Sequence, residues 1–569
     1  MAKIYTLNII ILDQLPPNTP DYFTYFSTKY IKKYSLVKVD FKGKNKIGIV
    51  KDIKPIIKSE VKKLDFTLKN VKEVLKESFL SEIQERFSHW ISKNYFISLS
   101  HSFCFFTNFY KKIEDLKIEP KPEFNKRFNI LYFKRFDKNL LNKPPLLIIT
   151  PTKEEAKLLN SEIDNSYLID FEIKKEKFSD LIKKILNKED VIFIGAKNSI
   201  FLPWQKLNSI IVFEEGSIFY KEHFKPPYFN YLNLIKELAR LLKTELILID
   251  SFPTLETYVR LDLKKFPIFS FKTIKNIDEL PKLLENYKNS KIYTPTKSLA
   301  EKFYCNNCFY EFNCPKCNYP LSILENKLYC RICFNEYDIA KKCPNCGSSD
   351  LSLKGIGGLW IKNFLEKKGF FTIFINDESD IKNFLKKDYK RYTLIGSLHI
   401  LNPLIPKTDL AIFLNFDSAF FSWNIFLKER NLRILNFLSN RADETYIQTK
   451  LNDEILEKIK NGEIIKDIIN ERKEGFLPPF SRIVKLIGRL KNLEELNKRL
   501  LEVKDELNNR KILFNKRIEI SGPFLEKIPL RIKRYQMFLI LKIEEGVDLK
   551  KFLENIKYIE EIRGDEEEI

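Results

Sequence analysis

Eight of the nine cysteines in this 569-residue chain fall between positions 305 and 346, in four C-x2-C pairs. The pairs are Cys305 and Cys308, Cys314 and Cys317, Cys330 and Cys333, and Cys343 and Cys346. A C-x2-C turn presents two sulfurs to one metal, and Zn²⁺ takes four thiolates tetrahedrally, so eight ligands make two sites. A disulfide framework is the competing reading. It belongs to short secreted chains, and this long chain shows no secretory segment. Its start, MAKIYTLNIIILDQL, has an apolar patch but no small-residue cleavage site and reads as a strand. The cysteine block specifies a structural module: no His or carboxylate stands at ligand spacing and no coordination position is left open for chemistry. Cys104, in SFCFF, reads as a buried apolar thiol. The four histidines show neither ligand nor triad spacing.

Charge is the second constraint. Lys plus Arg number 98 against 76 Asp plus Glu, a formal net charge of +22. Such a field favours polyanions, nucleic acid or an anionic membrane surface. A compositional bias toward Lys, Ile, Phe and Asn is the plainer explanation. Zinc ribbons with many aromatic rings tilt the balance to nucleic acid, because bases stack on rings. No apolar run approaches the roughly 20 residues that cross a bilayer, and a cytoplasmic chain is expected.

Along the chain, residues 1–75 alternate as strands do in LVKVDF and KIGIVKDI, with Gly43 and Gly48 at turns or close approaches. Phe79, Ile83, Phe87 and Ile91 have helical spacing. A basic connector follows. The runs PPLLIITPT, DVIFIGA, SIIVFEEG and TELILIDSF alternate with helical stretches, the pattern of a parallel sheet covered by helices. NSKIYTPT, FFTIFIND, YTLIGS and LAIFLNFD form a second such set, with the cysteines inserted after its first strand. From about 451 the pattern is α+β, with strands RIEISGP and QMFLILKI. The fold class is therefore multidomain α/β.

The cysteine block, the following GIGGLWIKNFLEKKGFFTIFINDES, VIFIGAKNSIFLPWQKLNSIIVFEEG, DSFPTLET, ERKEGFLPPF and SGPFLEKIPLRIKRYQMFLILK stand in the order of corresponding segments of the PriA family of primosomal replication-restart proteins. The chain resembles that family over nearly its whole length. The resemblance implies a 3′-DNA-end-binding-like domain at 1–105, a linker at 106–127 too short for the family's winged helix, and RecA-like helicase-type lobes at 128–265 and 266–450. It further implies a zinc insert at 303–350 in the second lobe and a C-terminal α+β domain at 451–569.

The ATP-handling motifs depart from the family. No G-x-x-x-x-G-K-[ST] cradle exists, and NILYFKRFDKNLLNKPP stands where it belongs. The Asp-Glu-Glu-His of motif II reads Phe213, Glu214, Glu215, Gly216. Motif III has become Ile249, Asp250, Ser251 and Phe252, and of the motif VI arginines only Arg441 is left. Both lobes are expected to be degenerate, with no catalytic residue and no use for ATP or Mg²⁺.

The resemblance implies zinc pairing of Cys305, Cys308, Cys343 and Cys346 at one ion and Cys314, Cys317, Cys330 and Cys333 at the other. The twelve residues between Cys317 and Cys330 suffice for a hairpin that joins the inner pairs; sequential pairing is the alternative. The family's pocket for a 3′ nucleotide maps onto Phe23, Tyr25, Gly43 and Lys69, with Thr24 in place of an Asp that would bind the terminal hydroxyl. Phe23 and Tyr25 also suit strand core. The aromatic stretch IFYKEHFKPPYFNY (218–231) suits either a DNA contact or core.

The expected function is replication restart without helicase activity: binding to branched or single-stranded DNA at stalled forks, and recruitment of primosome proteins and the replicative helicase loader. Single-stranded DNA-binding protein is a further expected partner. An active ATP-dependent 3′-5′ helicase and a non-enzymatic zinc-ribbon scaffold are the alternatives.

Overall fold

The computed structural model describes residues 4–17, 19–56, 68–107, 128–222, 225–295, 302–308, 310–315, 320–324, 327–330, 335–354, 357–420, 426–526 and 534–564. Most of the connector 106–127 lies outside them.

The alternating N-terminal segment forms a six-stranded sheet, ordered β5-β2-β1-β4-β3-β6. Its strands are β1 (Ile4–Ile11), β2 (Phe23–Ser27), β3 (Leu36–Phe41), β4 (Lys44–Ile56), β5 (Lys69–Asn70) and β6 (Glu73–Lys76). Residues of one parity, such as Leu7, Ile9 and Ile11 on β1 and Val37, Val39 and Phe41 on β3, fill a small core. Helix Glu82–Tyr95 opens on a Ser81–Gln84 capping box. It packs Ile83, Phe87 and Ile91 into the core of the next layer.

That layer is a wholly parallel sheet of β7 (Asn129–Phe133), β8 (Leu146–Thr150), β9 (Ser166–Ile169), β10 (Ile192–Ala196), β11 (Ser209–Phe213) and β12 (Glu245–Ile249), in the order β7-β12-β11-β8-β10-β9. Its inner strands β8, β10 and β11 are apolar runs buried on both faces, while the edge strands β7 and β9 are half-exposed. The second parallel sheet contains β13 (Lys272–Ile274), β14 (Asn289–Tyr293), β20 (Thr372–Ile375), β21 (Tyr392–Gly396), β22 (Thr408–Phe413) and β23 (Ala442–Gln448), ordered β13-β23-β22-β14-β21-β20. Numbered within each sheet, both orders are 1-6-5-2-4-3. The chain thus builds one topology twice without a visible sequence repeat. In each sheet the order reverses beside the second strand, and the crevice outside the carboxyl ends there is where ligands of such sheets bind.

Between β14 and β20 the described residues form five short strands: β15 (Lys302–Cys305), β16 (Ser322–Leu324), β17 (Lys327–Tyr329), β18 (Glu336–Asp338) and β19 (Leu351–Lys354). β15 pairs with β19, and β16, β17 and β18 form a three-stranded sheet. Helices Asp453–Lys460 and Ile464–Glu474 contribute Leu456, Ile459, Ile464, Ile465 and Ile468 to the core of the second parallel sheet. The last unit is the sheet β25-β26-β24-β27, with β24 (Arg482–Leu490), β25 (Ile518–Glu526), β26 (Tyr535–Ile543) and β27 (Glu561–Gly564). Helix Leu493–Arg510 covers it with Leu496, Leu500, Val503 and Leu507. No helix among the described residues is long and apolar enough to cross a membrane.

Candidate functional site

Three places collect the residues that the sequence singles out. In the cysteine module, the sulfurs of Cys305, Cys308, Cys343 and Cys346 all lie within 4.8 Å of one another. Cys305 Sγ is 3.6 Å from Cys346 Sγ, and Cys308 Sγ is 3.6 Å from Cys343 Sγ. Four thiolates about 2.3 Å from one zinc stand about 3.8 Å apart, whereas a disulfide needs about 2.05 Å. The spacing therefore fits a tetrahedral metal site and not a disulfide. The pairing of β15 with β19 brings the first and last C-x2-C turns together, and Gly347 (φ 72) takes the left-handed conformation that closes the second. Burial pushes Cys343 up to about 11, while a hydrogen bond with the Asn345 side chain leads in holding Cys308 down to about 6. Cys314 and Cys330 are buried in one small core with Phe303, Phe312 and Leu328. Their partners Cys317 and Cys333 lie outside the described residues.

At the N-terminal sheet, β3 and β4 are joined by the two-residue turn Lys42-Gly43, with φ 52 and 76, both in the left-handed region that a type I′ hairpin requires. Gly43 donates its N–H to Asp40 Oδ1 at 3.3 Å. Lys69 bonds the same carboxylate, Lys72 Nζ lies 3.9 Å from it, and Tyr25 Oη donates to the Asp40 carbonyl at 3.0 Å. The bond from Lys69 holds the Asp40 carboxyl below its ordinary value. Tyr25, Gly43 and Lys69 are thus brought together around Asp40, which the sequence reading did not single out. Its signal was the D-x-x-G turn. Tyr25 is 4 % exposed and belongs to the core. Phe23 packs edge-on to Phe41, with ring centroids 4.8 Å apart. Thr24 donates to Asn8 Oδ1 at 3.3 Å.

The third place is the crevice at the carboxyl ends of β8 and β11. After β7 the chain enters a 3₁₀ turn, Lys138–Leu141, and the Phe136 ring lies 5.1 Å from that of Phe213 at the end of β11. Tyr220, 1 % exposed, donates to both the Ile149 carbonyl (3.0 Å) and the Phe213 carbonyl (2.9 Å). Tyr220, Phe229 and Tyr231 are all buried, so this part of the 218–231 stretch is core; His223 and Phe224 lie outside the described residues. Glu215 is buried and accepts from the Thr254 N–H (2.9 Å) and the Thr257 hydroxyl (2.8 Å). Arg441 donates to the carbonyl of Pro403 at 2.6 Å, within its own lobe.

Glu214 is pushed up to about 8, first by burial and then by the carboxylates of Glu155 and Asp250. An acid that holds its proton more tightly when folded contributes stability at low pH, and that stability is lost as pH rises. The window runs from the ordinary value of 4.5 up to about 8. Burial raises Glu215 and Asp250 in the same direction. The thermal midpoint is therefore expected to fall across this window. Glu214→Gln should flatten the fall and raise the midpoint at its alkaline end. Midpoints that track the unsubstituted protein throughout would contradict this.

A family model described as the 3′DNA-binding domain (3′BD) of PriA matches residues 10–106. The replication restart protein PriA of Helicobacter pylori (strain ATCC 700392 / 26695) is 24% identical over 607 residues, covering 95% of this chain and 96% of its own length. That of Chlamydia trachomatis serovar D is 25% identical over 352 residues, covering 52% of this chain and 46% of its own. Among solved structures, RecG bound to a three-way DNA junction aligns with a TM-score of 0.32 at 10% identity, over 74% of this chain and 48% of that chain.

Proposed function

From a chain that belongs to the PriA family of replication restart proteins, we propose a protein that binds stalled or abandoned replication forks and promotes primosome assembly and reloading of the replicative helicase without hydrolysing ATP. It works in the cytoplasm on branched or single-stranded DNA. Its two parallel-sheet layers are degenerate RecA-like lobes. The observation that carries the non-hydrolysing half of this reading is the packing of Phe136 on Phe213 and the bonding of Tyr220 to the carbonyls of Ile149 and Phe213 at the carboxyl ends of β8 and β11. The DNA-binding half is supported by the match over residues 10–106 and by the net charge of +22.

Within the N-terminal domain, Lys69 meets a phosphate and the Gly43 turn lets the backbone come close to the DNA, with open space around the Gly43 Cα. Phe23 and Tyr25 line the same pocket; Tyr25 supports it from below through the Asp40 carbonyl. Zinc is held at two sites, one by Cys305, Cys308, Cys343 and Cys346, the other by Cys314, Cys317, Cys330 and Cys333. Both sites position the module between strands of the second lobe and carry no chemistry.

Fluorescence anisotropy with fork and plain duplex, with and without Mg-ATP and over a range of salt, tests the reading. Fork DNA should bind more tightly than duplex, and ATP should change neither affinity. Affinity should fall linearly on a log–log salt plot, with a slope of about −0.9 per phosphate contact. Lys69→Ala should reduce that slope by about one contact and weaken fork binding, leaving the fold intact because Lys69 is exposed. Equal affinity for fork and duplex would overturn the proposal.

A further inference from the structure

Helix Phe426–Asn440 belongs to the second lobe, where Leu432, Leu435 and Leu438 are buried in the core. Arg433, Asn436 and Asn440 lie three and four residues apart on another of its faces, turned toward the first lobe. Arg433 Nη1 donates to the Phe252 carbonyl at 2.7 Å and lies 3.5 Å from Asp250 Oδ2. Its guanidinium stands 4.8 Å from the centre of the Phe252 ring. Asn436 Nδ2 donates to Ser251 Oγ at 2.7 Å, and Asn440 Nδ2 reaches the same oxygen at 3.3 Å. Glu429, one turn before Arg433, accepts from it at 3.4 Å and pairs with Arg472 at 2.8 Å.

The first lobe is built to receive this arginine. The Gly216 N–H donates to Asp250 Oδ2 at 2.9 Å, so the carboxylate faces the guanidinium. A Cβ at Gly216 would lie 1.5 Å from Arg433 Nη1. Only glycine leaves room for the guanidinium at that point. Phe252, Leu255 and Tyr258 follow β12 of the first sheet, yet they are buried in the core of the second. Asp250 and Arg433 are 10 % and 15 % exposed and form the ion pair that crosses between the lobes, while Glu429 and Arg472, 16 % and 4 % exposed, pair within the second lobe and hold Arg433 in place. Separating the lobes would leave the buried Asp250 carboxylate without its cation, and an uncompensated buried charge is costly.

We propose that Arg433, seated against Gly216, Asp250 and the Phe252 carbonyl, is a built-in latch that holds the two lobes in a single arrangement. Two-lobed α/β proteins commonly close on a ligand in the crevice between lobes. Here a guanidinium supplied by the chain itself joins the two lobes. The lobes then act as one rigid platform and do not cycle between open and closed forms. This goes beyond the proposed function and does not depend on which DNA is bound.

The test is the inter-lobe distance in the full-length, zinc-loaded protein. Spin labels are placed through a genetically encoded keto amino acid at Leu158 and Leu385, which are 47 % and 44 % exposed on the first and second lobes. Pulsed electron–electron resonance should give one distance, unchanged by Mg-ATP, Mg-ADP or fork DNA. Arg433→Ala and Gly216→Ala should each broaden the distribution or add a longer distance. Arg433→Gln, which keeps a donor for the Phe252 carbonyl, serves if the alanine variants fold poorly and should give the same change in smaller degree. Two distances in the unsubstituted protein, a shift on adding nucleotide or fork, or a folded Arg433 variant with an unaltered distribution would each overturn the latch. Fork affinity measured on the same samples keeps the two ideas apart: its absence beside a single distance counts against the proposed function and for the latch.

Discussion

Stripping metal from this protein with a strong chelator is expected to unfold residues 302–354 as a unit while the larger sheets persist. The module has little else to hold it. Its described core is Phe303, Phe312, Leu321, Ile323 and Leu328 with two of the cysteines, and its strands are three or four residues long. A lone two-stranded pair such as β15–β19 is marginal in water, and a three-stranded sheet stands alone only with a hydrophobic face to bury. A structural zinc site contributes about 10–16 kcal/mol of apparent binding free energy, which in such a module is folding free energy. Hydrogen exchange should lose its protection in β15–β19 on chelation and keep it in β8, β11, β14 and β22. Metal analysis of the pure protein should return two zinc ions per chain. Cys346→Ser should cost one ion and Cys314→Ser the other, each independently, if the nested pairing holds. One ion or none in the unsubstituted protein would remove the second site.

Phosphate release from Mg-ATP should stay at the enzyme-free background, with or without fork DNA. Phosphoryl transfer needs a backbone cradle, a lysine, a carboxylate that reaches Mg²⁺ and positive charge at the γ-phosphate. The stretch after β7 contains no glycine, and Phe136 lies on Phe213. Glu215 already accepts from Thr254 and Thr257, and Asp250 from the N–H groups of Gly216 and Phe252. Arg441 is engaged with carbonyls of its own lobe. The double variant Glu214→Gln, Glu215→Gln is expected to bind forks as the unsubstituted protein does. Hydrolysis that disappears in that variant would restore an ATP-driven enzyme.

The amino-acid order alone determined those features whose physics is local. The apolar runs LLIIT, IFIGA, SIIVF and ELILI are β8, β10, β11 and β12, because a strand buried on both faces must be continuously apolar. Helix Glu82–Tyr95 follows from the spacing of Ile83, Phe87 and Ile91. The joining of the first C-x2-C pair to the fourth was implied by resemblance; the sulfurs of Cys305, Cys308, Cys343 and Cys346 come within 4.8 Å of one another only through the pairing of β15 with β19. The tertiary structure decided what lies between distant segments. Arg433 carries no local signal in the sequence, and its hydrogen bond to the Phe252 carbonyl, 181 positions away, arises only in the folded chain. Asp40 becomes the centre of the N-terminal cluster only when β5 brings Lys69 beside the β3–β4 turn. Tyr220, read as either a DNA contact or core, is core because it caps two carbonyl ends that the parallel sheet sets side by side. Periodicity reports which face of an element is apolar. It carries no information on which distant backbone groups that face will meet, and only the folded chain supplies those partners.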